Sequence, residues 1–282
     1  IFQIAVIHFC RRTAIYSVLF FAFSPLNLMY QSATLIDVSA VFFASLAYWI
    51  LAKYFQGAQN RTLFSVFLLA GGYCVLVKPL YFLPSGVLLV THFLQQWRKP
   101  RMKNIFEYAA QHKVIIGLFA LITFSTFLWI GVQRQVNPNS YNTLIYLGFN
   151  HLFEVMVYAR LLFRWMLLVL NPVTFLFFIV GILLLLRDHR GSGRMALIYS
   201  IIWFHLIFGG IITPHEYYEL SMVPFASVIA GCGATWIEEK MRSEFQIVSS
   251  YMLSVGIILG ATICSVLIFL ASFIAVLNLE HR

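Results

Sequence analysis

Charge is what this sequence has least of. Asp, Glu, Lys and Arg make up 10% of its 282 residues, where soluble domains carry about 25%. Hydrophobic residues reach 61%. A water-soluble fold of this length would lack the polar groups to cover its surface, and a disordered chain needs the opposite balance. Acids are scarcer than bases, 10 against 19, for a net charge of +9. In a soluble protein that excess would suggest nucleic acid. Here the basic residues fall in short stretches between apolar runs, which is how cytoplasmic loops of membrane proteins read, and no nucleic-acid partner is expected. The four cysteines, Cys10, Cys74, Cys232 and Cys264, lie in apolar stretches without metal-ligand spacing and read as inert core thiols. P-loop, dinucleotide, zinc-protease and nucleophile-elbow signatures are all missing.

What the chain has in abundance is apolar runs of membrane length. Crossing about 30 Å of hydrocarbon takes roughly 20 apolar residues as helix. Runs of this kind cover about 14–31, 36–55, 62–77, 79–96, 114–132, 173–186, 195–212, 219–237 and 247–278, with 1–9 reading as the tail of an earlier span. Lys78-Pro79 splits 62–96 into a hairpin. The expected fold is all-α: a single polytopic transmembrane helical bundle over 1–282 with about nine spans. Placing Arg11 and Arg12 in the cytoplasm puts 14 of the 19 basic residues inside and leaves Lys78, Arg134, Arg160, Arg164 and Arg282 outside. The segment at about 151–170 is long enough to span, but a crossing there would move the basic cluster 187–194 outside. It is therefore expected as an interfacial or re-entrant outer helix. The location expected is a multi-pass plasma (inner) membrane protein with its active face outward.

On that topology the scarce ionisable residues gather at one face. Asp37 opens the second span, Lys78 sits at the hairpin turn, Arg160 and Arg164 lie on the outer helix, and His215, Glu216, Tyr217 and Tyr218 join two spans. Ionisable groups at membrane depth are costly and point to function. Each also has a plainer reading: Asp37 as a helix N-cap, Lys78 and the arginines as snorkelling anchors, the tyrosines as belt residues, and His215 as an ordinary loop histidine. Within spans, His92 and His205 read as helix–helix hydrogen bonders. Glu238 and Glu239 read as solvated cytoplasmic charges, and Gly71 and Gly72 as a close-packing contact. The sequon at Asn60-Arg61-Thr62 falls on the cytoplasmic side and goes unused.

Three segments in order resemble the GT-C superfamily of integral-membrane glycosyltransferases, in the branch of the protein O-mannosyltransferases and the lipid A aminoarabinose transferase. They are SPLNLMYQSATLIDVSAVFFASLAYWI, LAGGYCVLVKPLYFLPSGVLL and PHEYYELSMVPFASVIAGCG, framing about 14–237. The resemblance implies a sugar donor on a polyprenyl phosphate and a lipid A, envelope-glycan or protein acceptor. It implies that Asp37 is a supporting acid. The principal base and the first outer loop are expected ahead of Ile1. Lys78, Arg160 and Arg164 would hold the donor phosphate, and His215, Glu216, Tyr217 and Tyr218 the substrate. No cofactor is called for, and the spacing of His215 and Glu216 does not support a divalent metal. Two rivals remain: a transporter or flippase of lipid-linked sugars, and a non-catalytic scaffold. A transporter predicts charges deep in mid-span and an internal repeat, and neither is evident.

Overall fold

The computed structural model describes residues 1–31, 36–58, 60–98, 105–136, 154–188, 191–212, 216–245 and 250–280. Among them every regular element is helical and no strand occurs, so the all-α expectation holds. In chain order the α-helices are α1 (Phe2–His8), α2 (Arg11–Ala22), α3 (Pro25–Gln31), α4 (Ile36–Phe55), α5 (Arg61–Val77), α6 (Leu83–Trp97), α7 (Ile105–Gln111), α8 (Lys113–Val136), α9 (Val155–Arg164), α10 (Pro172–Arg187), α11 (Ser192–Ile212), α12 (Val223–Phe245) and α13 (Ser250–Glu280). Short 3-10 turns cover Pro79–Phe82 and Glu216–Ser221, and a π turn covers Trp165–Val169. The chain clusters into two compact units.

One unit comprises Ile1–Leu35, Glu154–His189 and Glu216–Arg282. Its centre is α12, packed against α2 on one side and α10 on the other. The sequence Gly-Cys-Gly at 231–233 makes this possible. Residues two apart on a helix point about 200° apart, so the two glycines face opposite neighbours. A Cβ on Gly231 would meet the Thr13 carbonyl at 2.7 Å, and one on Gly233 would collide with the Phe177 carbonyl. Gly181 of α10 approaches the Ile229 carbonyl in the same way. Thr13 and Thr235 hydroxyls bond at 3.0 Å across the first contact. Ser24-Pro25 breaks the expected span 14–31 into α2 and α3, because proline removes a helical donor and crowds the preceding turn.

The start of α10 is set by Asn171, the one described non-glycine residue with positive φ, at 61°. Asparagine tolerates this region better than most residues. Its side chain caps Thr174 N at 2.9 Å and donates to Ser265 Oγ at 2.7 Å, tying α10 to α13. With Pro172 at the first helical position, the chain turns 115° between Val155–Val169 and Pro172–Arg187.

The second unit comprises Ile36–Phe153 and Arg190–His215. The hairpin expected at Lys78-Pro79 is present, with Lys78 capping α5 and a 3-10 turn leading into α6. Gly71 is a close contact, its absent Cβ lying 2.7 Å from Ile122 Cδ1 and Phe82 Cε2, whereas Gly72 faces open space. Asn60 caps α5 by accepting from Thr62 N at 2.8 Å. Helix α7 meets α8 at 94°.

Among the described residues, two stretches are long and apolar enough to cross a membrane: Asp37–Phe55 of α4 and Met252–Ser272 of α13. Counting the bent pairs α7–α8 and α9–α10 as one span each raises this to four. The other apolar runs fall short in different ways: α5 has 17 residues, and α12, though 23 residues long, runs into Glu238, Glu239, Lys240 and Arg242. Of the cysteines, Cys74 is buried, but Cys10 is exposed at the N-cap of α2, which corrects the expectation that all four are core thiols.

Candidate functional site

Asp37 lies in the first turn of α4, where a carboxylate suits the positive end of the helix dipole. It is buried, at 2% exposure. It lies inside α4, after Ile36, rather than at the expected N-cap position. Lys78 Nζ donates to its Oδ1 at 2.7 Å and Tyr81 Oη donates to the same oxygen at 2.6 Å. Lys78 is placed by the end of α5, and Tyr81 by the 3-10 turn that Pro79 starts. Two further bonds hold α4 beside α5: Ser39 and Tyr73 hydroxyls at 2.6 Å, and Cys74 Sγ to the Ala40 carbonyl at 3.7 Å. A buried charge is tolerated only when paired and hydrogen-bonded, and both donors here act on one carboxylate oxygen. The sequence singled out Asp37 and Lys78, and the structure brings them together. It did not single out Tyr81, because one tyrosine among 14 in an aromatic-rich chain carries no signal until its partner is in place.

The other unit holds a second pair. Arg164 Nη1 lies 3.8 Å from Glu219 Oε2, an ion-pair rather than a hydrogen-bond distance, and Glu219 is fully buried. Arg164 follows Val157 and Leu161 along the inward side of α9. Arg160 is exposed and does not join this pair. Tyr218 is buried, which departs from a belt tyrosine, and its carbonyl accepts from Ser221 Oγ at 2.9 Å. Of Glu216 and Tyr217 only the backbone is described, as the first part of the 3-10 helix. His215 lies outside the described residues.

A third cluster corrects the sequence reading of Glu238. It is fully buried, not solvated. Tyr16 donates to its Oε2 at 2.9 Å, Arg242 to its Oε1 at 3.0 Å, and Arg12 lies 3.4 Å away. A 222-residue separation from Tyr16 hides this contact from any local reading. His92 does bond between helices, its Nδ1 2.9 Å from Tyr108 Oη. His205 Nδ1 lies 2.8 Å from the Ile201 carbonyl of its own helix.

These groups are layered within each unit. Asp37 and Tyr54 stand at opposite ends of α4, about 26 Å apart at ~1.5 Å per residue. Glu219 precedes α12 and Glu238 lies near its far end, again roughly 25–28 Å apart. Between the layers the helices are apolar. Among the described residues no group of three or more His, Cys, Asp or Glu could hold a metal. The chain matches no family model, no curated protein and no solved structure.

Proposed function

We propose that this chain is the body of a GT-C-type membrane glycosyltransferase of about nine spans. It would move a sugar from a polyprenyl-phosphate donor to a lipid A, envelope-glycan or protein acceptor at the outer face of the plasma membrane. The observation that carries the reading is the Asp37–Lys78–Tyr81 cluster. Both donors hold Oδ1, so Asp37 is fixed in orientation and its Oδ2 can accept a substrate hydroxyl. Lys78 keeps 24% side-chain exposure, which leaves its ammonium within reach of a phosphate oxygen. In the other unit, Arg164 pairs with the buried Glu219, and Tyr218 is buried rather than an open sugar platform.

Two features support the membrane setting. The spacing of polar layers within each unit is close to the ~30 Å of bilayer hydrocarbon. The faces between them are unsuited to water: Leu121, Phe124, Phe127 and Leu128 of α8 are all exposed, and only 11% of the Met252–Ser272 window is buried. The Arg12–Glu238–Arg242 cluster puts the basic starts of α2 and ends of α12 together, as a shared cytoplasmic side requires.

Purified full-length protein in nanodiscs, given polyprenyl-phosphate sugar and a panel of acceptors, tests this. Wild type should transfer sugar, and Asp37→Asn should be slower by about 100-fold or more. Translocation of the lipid-linked sugar without transfer would favour the flippase reading instead. Equal transfer by wild type and Asp37→Asn would remove Asp37 from the site.

A further inference from the structure

The far end of the second unit carries a cluster that the proposed chemistry does not use. Four elements meet there. Tyr54 and Phe55 close α4, His92 and Gln96 lie in the last turns of α6, Tyr108 is on α7, and His112 is the single residue between α7 and α8. His92 Nδ1 is 2.9 Å from Tyr108 Oη, and Gln96 Nε2 is 3.2 Å from His92 Nε2. His112 Nδ1 is 2.9 Å from Tyr54 Oη. The His92 ring stacks on Phe55 at 3.7 Å between centroids, and the His112 ring lies 5.5 Å from that of His92. Both imidazoles are buried, at 6% and 9% exposure.

The cluster is the attachment of α7. Of the other residues of that short helix, Ile105, Phe106, Glu107, Ala110 and Gln111 are exposed. Tyr108 is its buried anchor, reaching His92, Phe93 and His112. His112 stands at the 94° corner where α7 leaves α8. We infer that His112, packed against His92, is a proton-sensitive latch that holds α7 against α4 and α6 near neutral pH and releases it in acid.

The charge environment gives the sign. The groups touching His112 are Tyr54 from α4, His92 from α6 and Tyr108 from α7, none of them a carboxylate. The charged residues of the packed elements nearest in sequence are Lys53, Arg98 and Lys113, with Glu107 the one acid, exposed on α7. A proton on His112 would therefore add a buried positive charge beside a second imidazole, with no carboxylate in contact. Burial already lowers the His112 pKa from its ordinary value of 6.5 and raises that of Tyr108. Opening the corner rehydrates the ring and relieves the cost.

Hydrogen exchange on the whole protein in nanodiscs tests the latch. Protection factors, corrected for the intrinsic pH dependence of amide exchange, are compared over 105–116 and over α4. In wild type the 105–116 amides should lose about tenfold protection between about pH 7.5 and pH 5, with α4 unchanged. His112→Gln, which keeps a polar partner for Tyr54 and cannot titrate, should show no such loss. Unchanged protection in wild type, a loss that persists in His112→Gln, or an equal loss in α4 would each overturn the latch.

Discussion

Removing the Tyr81 hydroxyl takes one hydrogen bond from a buried carboxylate and leaves the ring in place. A bond to a charged group is worth about 1.5–3 kcal/mol. If Asp37 works by orientation, Tyr81→Phe should slow sugar transfer by roughly 10–150-fold with the Lys78 bond still in place. Steady-state kinetics should place the loss in kcat, and unchanged kcat would mean that Lys78 alone suffices. Legibility at this scale follows the rarity of a residue type. Asp37 stood out because a charge in an apolar run is costly. Tyr81 did not, because tyrosine costs nothing there. Glu238 misled because Glu-Glu-Lys-Met-Arg reads as a solvated face, whereas Tyr16 and Arg12, far away in sequence, join Arg242 around the buried carboxylate.

At the level of elements, glycines with and without a neighbour predict opposite outcomes. Gly233→Ala drives a methyl into the Phe177 carbonyl, which is backbone and has little room to yield. It should cost about 2–3 kcal/mol. Gly72→Ala meets open space in the middle of α5 and should stabilise by about 0.5–1 kcal/mol, through helix propensity alone. Thermal melts of the two variants against wild type check both signs. Neither result could be read from sequence, since Gly71, Gly72, Gly231 and Gly233 look alike as small residues in apolar runs. Other element features were legible. The extent of α4 and the hairpin at Lys78-Pro79 follow from length of apolar run and proline chemistry. The sharp turn before α10 depends on the backbone of Asn171 and on Ser265 of α13, a partner that the local sequence does not name.

For the whole molecule, acid should weaken the fold. The unfolded chain takes up a proton at His112 near its ordinary pKa of 6.5, and the folded corner resists it. A lowered folded pKa means stability that is complete above that pH and declines as pH falls through the folded value. The unfolding midpoint should therefore drop between about pH 6.5 and pH 5, and drop less in His112→Gln. A flat profile in both proteins would show that the site is already hydrated. The all-α class was legible from hydropathy, because 61% apolar residues leave few alternatives. The number of crossings was less so, since short helices and bent pairs blur the link between apolar length and span count.

The exposed thiol of Cys10 gives the chain a built-in reporter of its own orientation. It sits one residue before Arg11 and Arg12, at the end of the unit where Glu238 collects its arginines. A membrane-impermeant maleimide added to sealed vesicles should tag Cys10 when the inner leaflet faces the reagent and spare it when the vesicles are the other way out. Tagging with the reverse preference would turn the whole molecule over, and would carry Arg164 and Glu219, at the opposite end of that unit, to the inner surface with it.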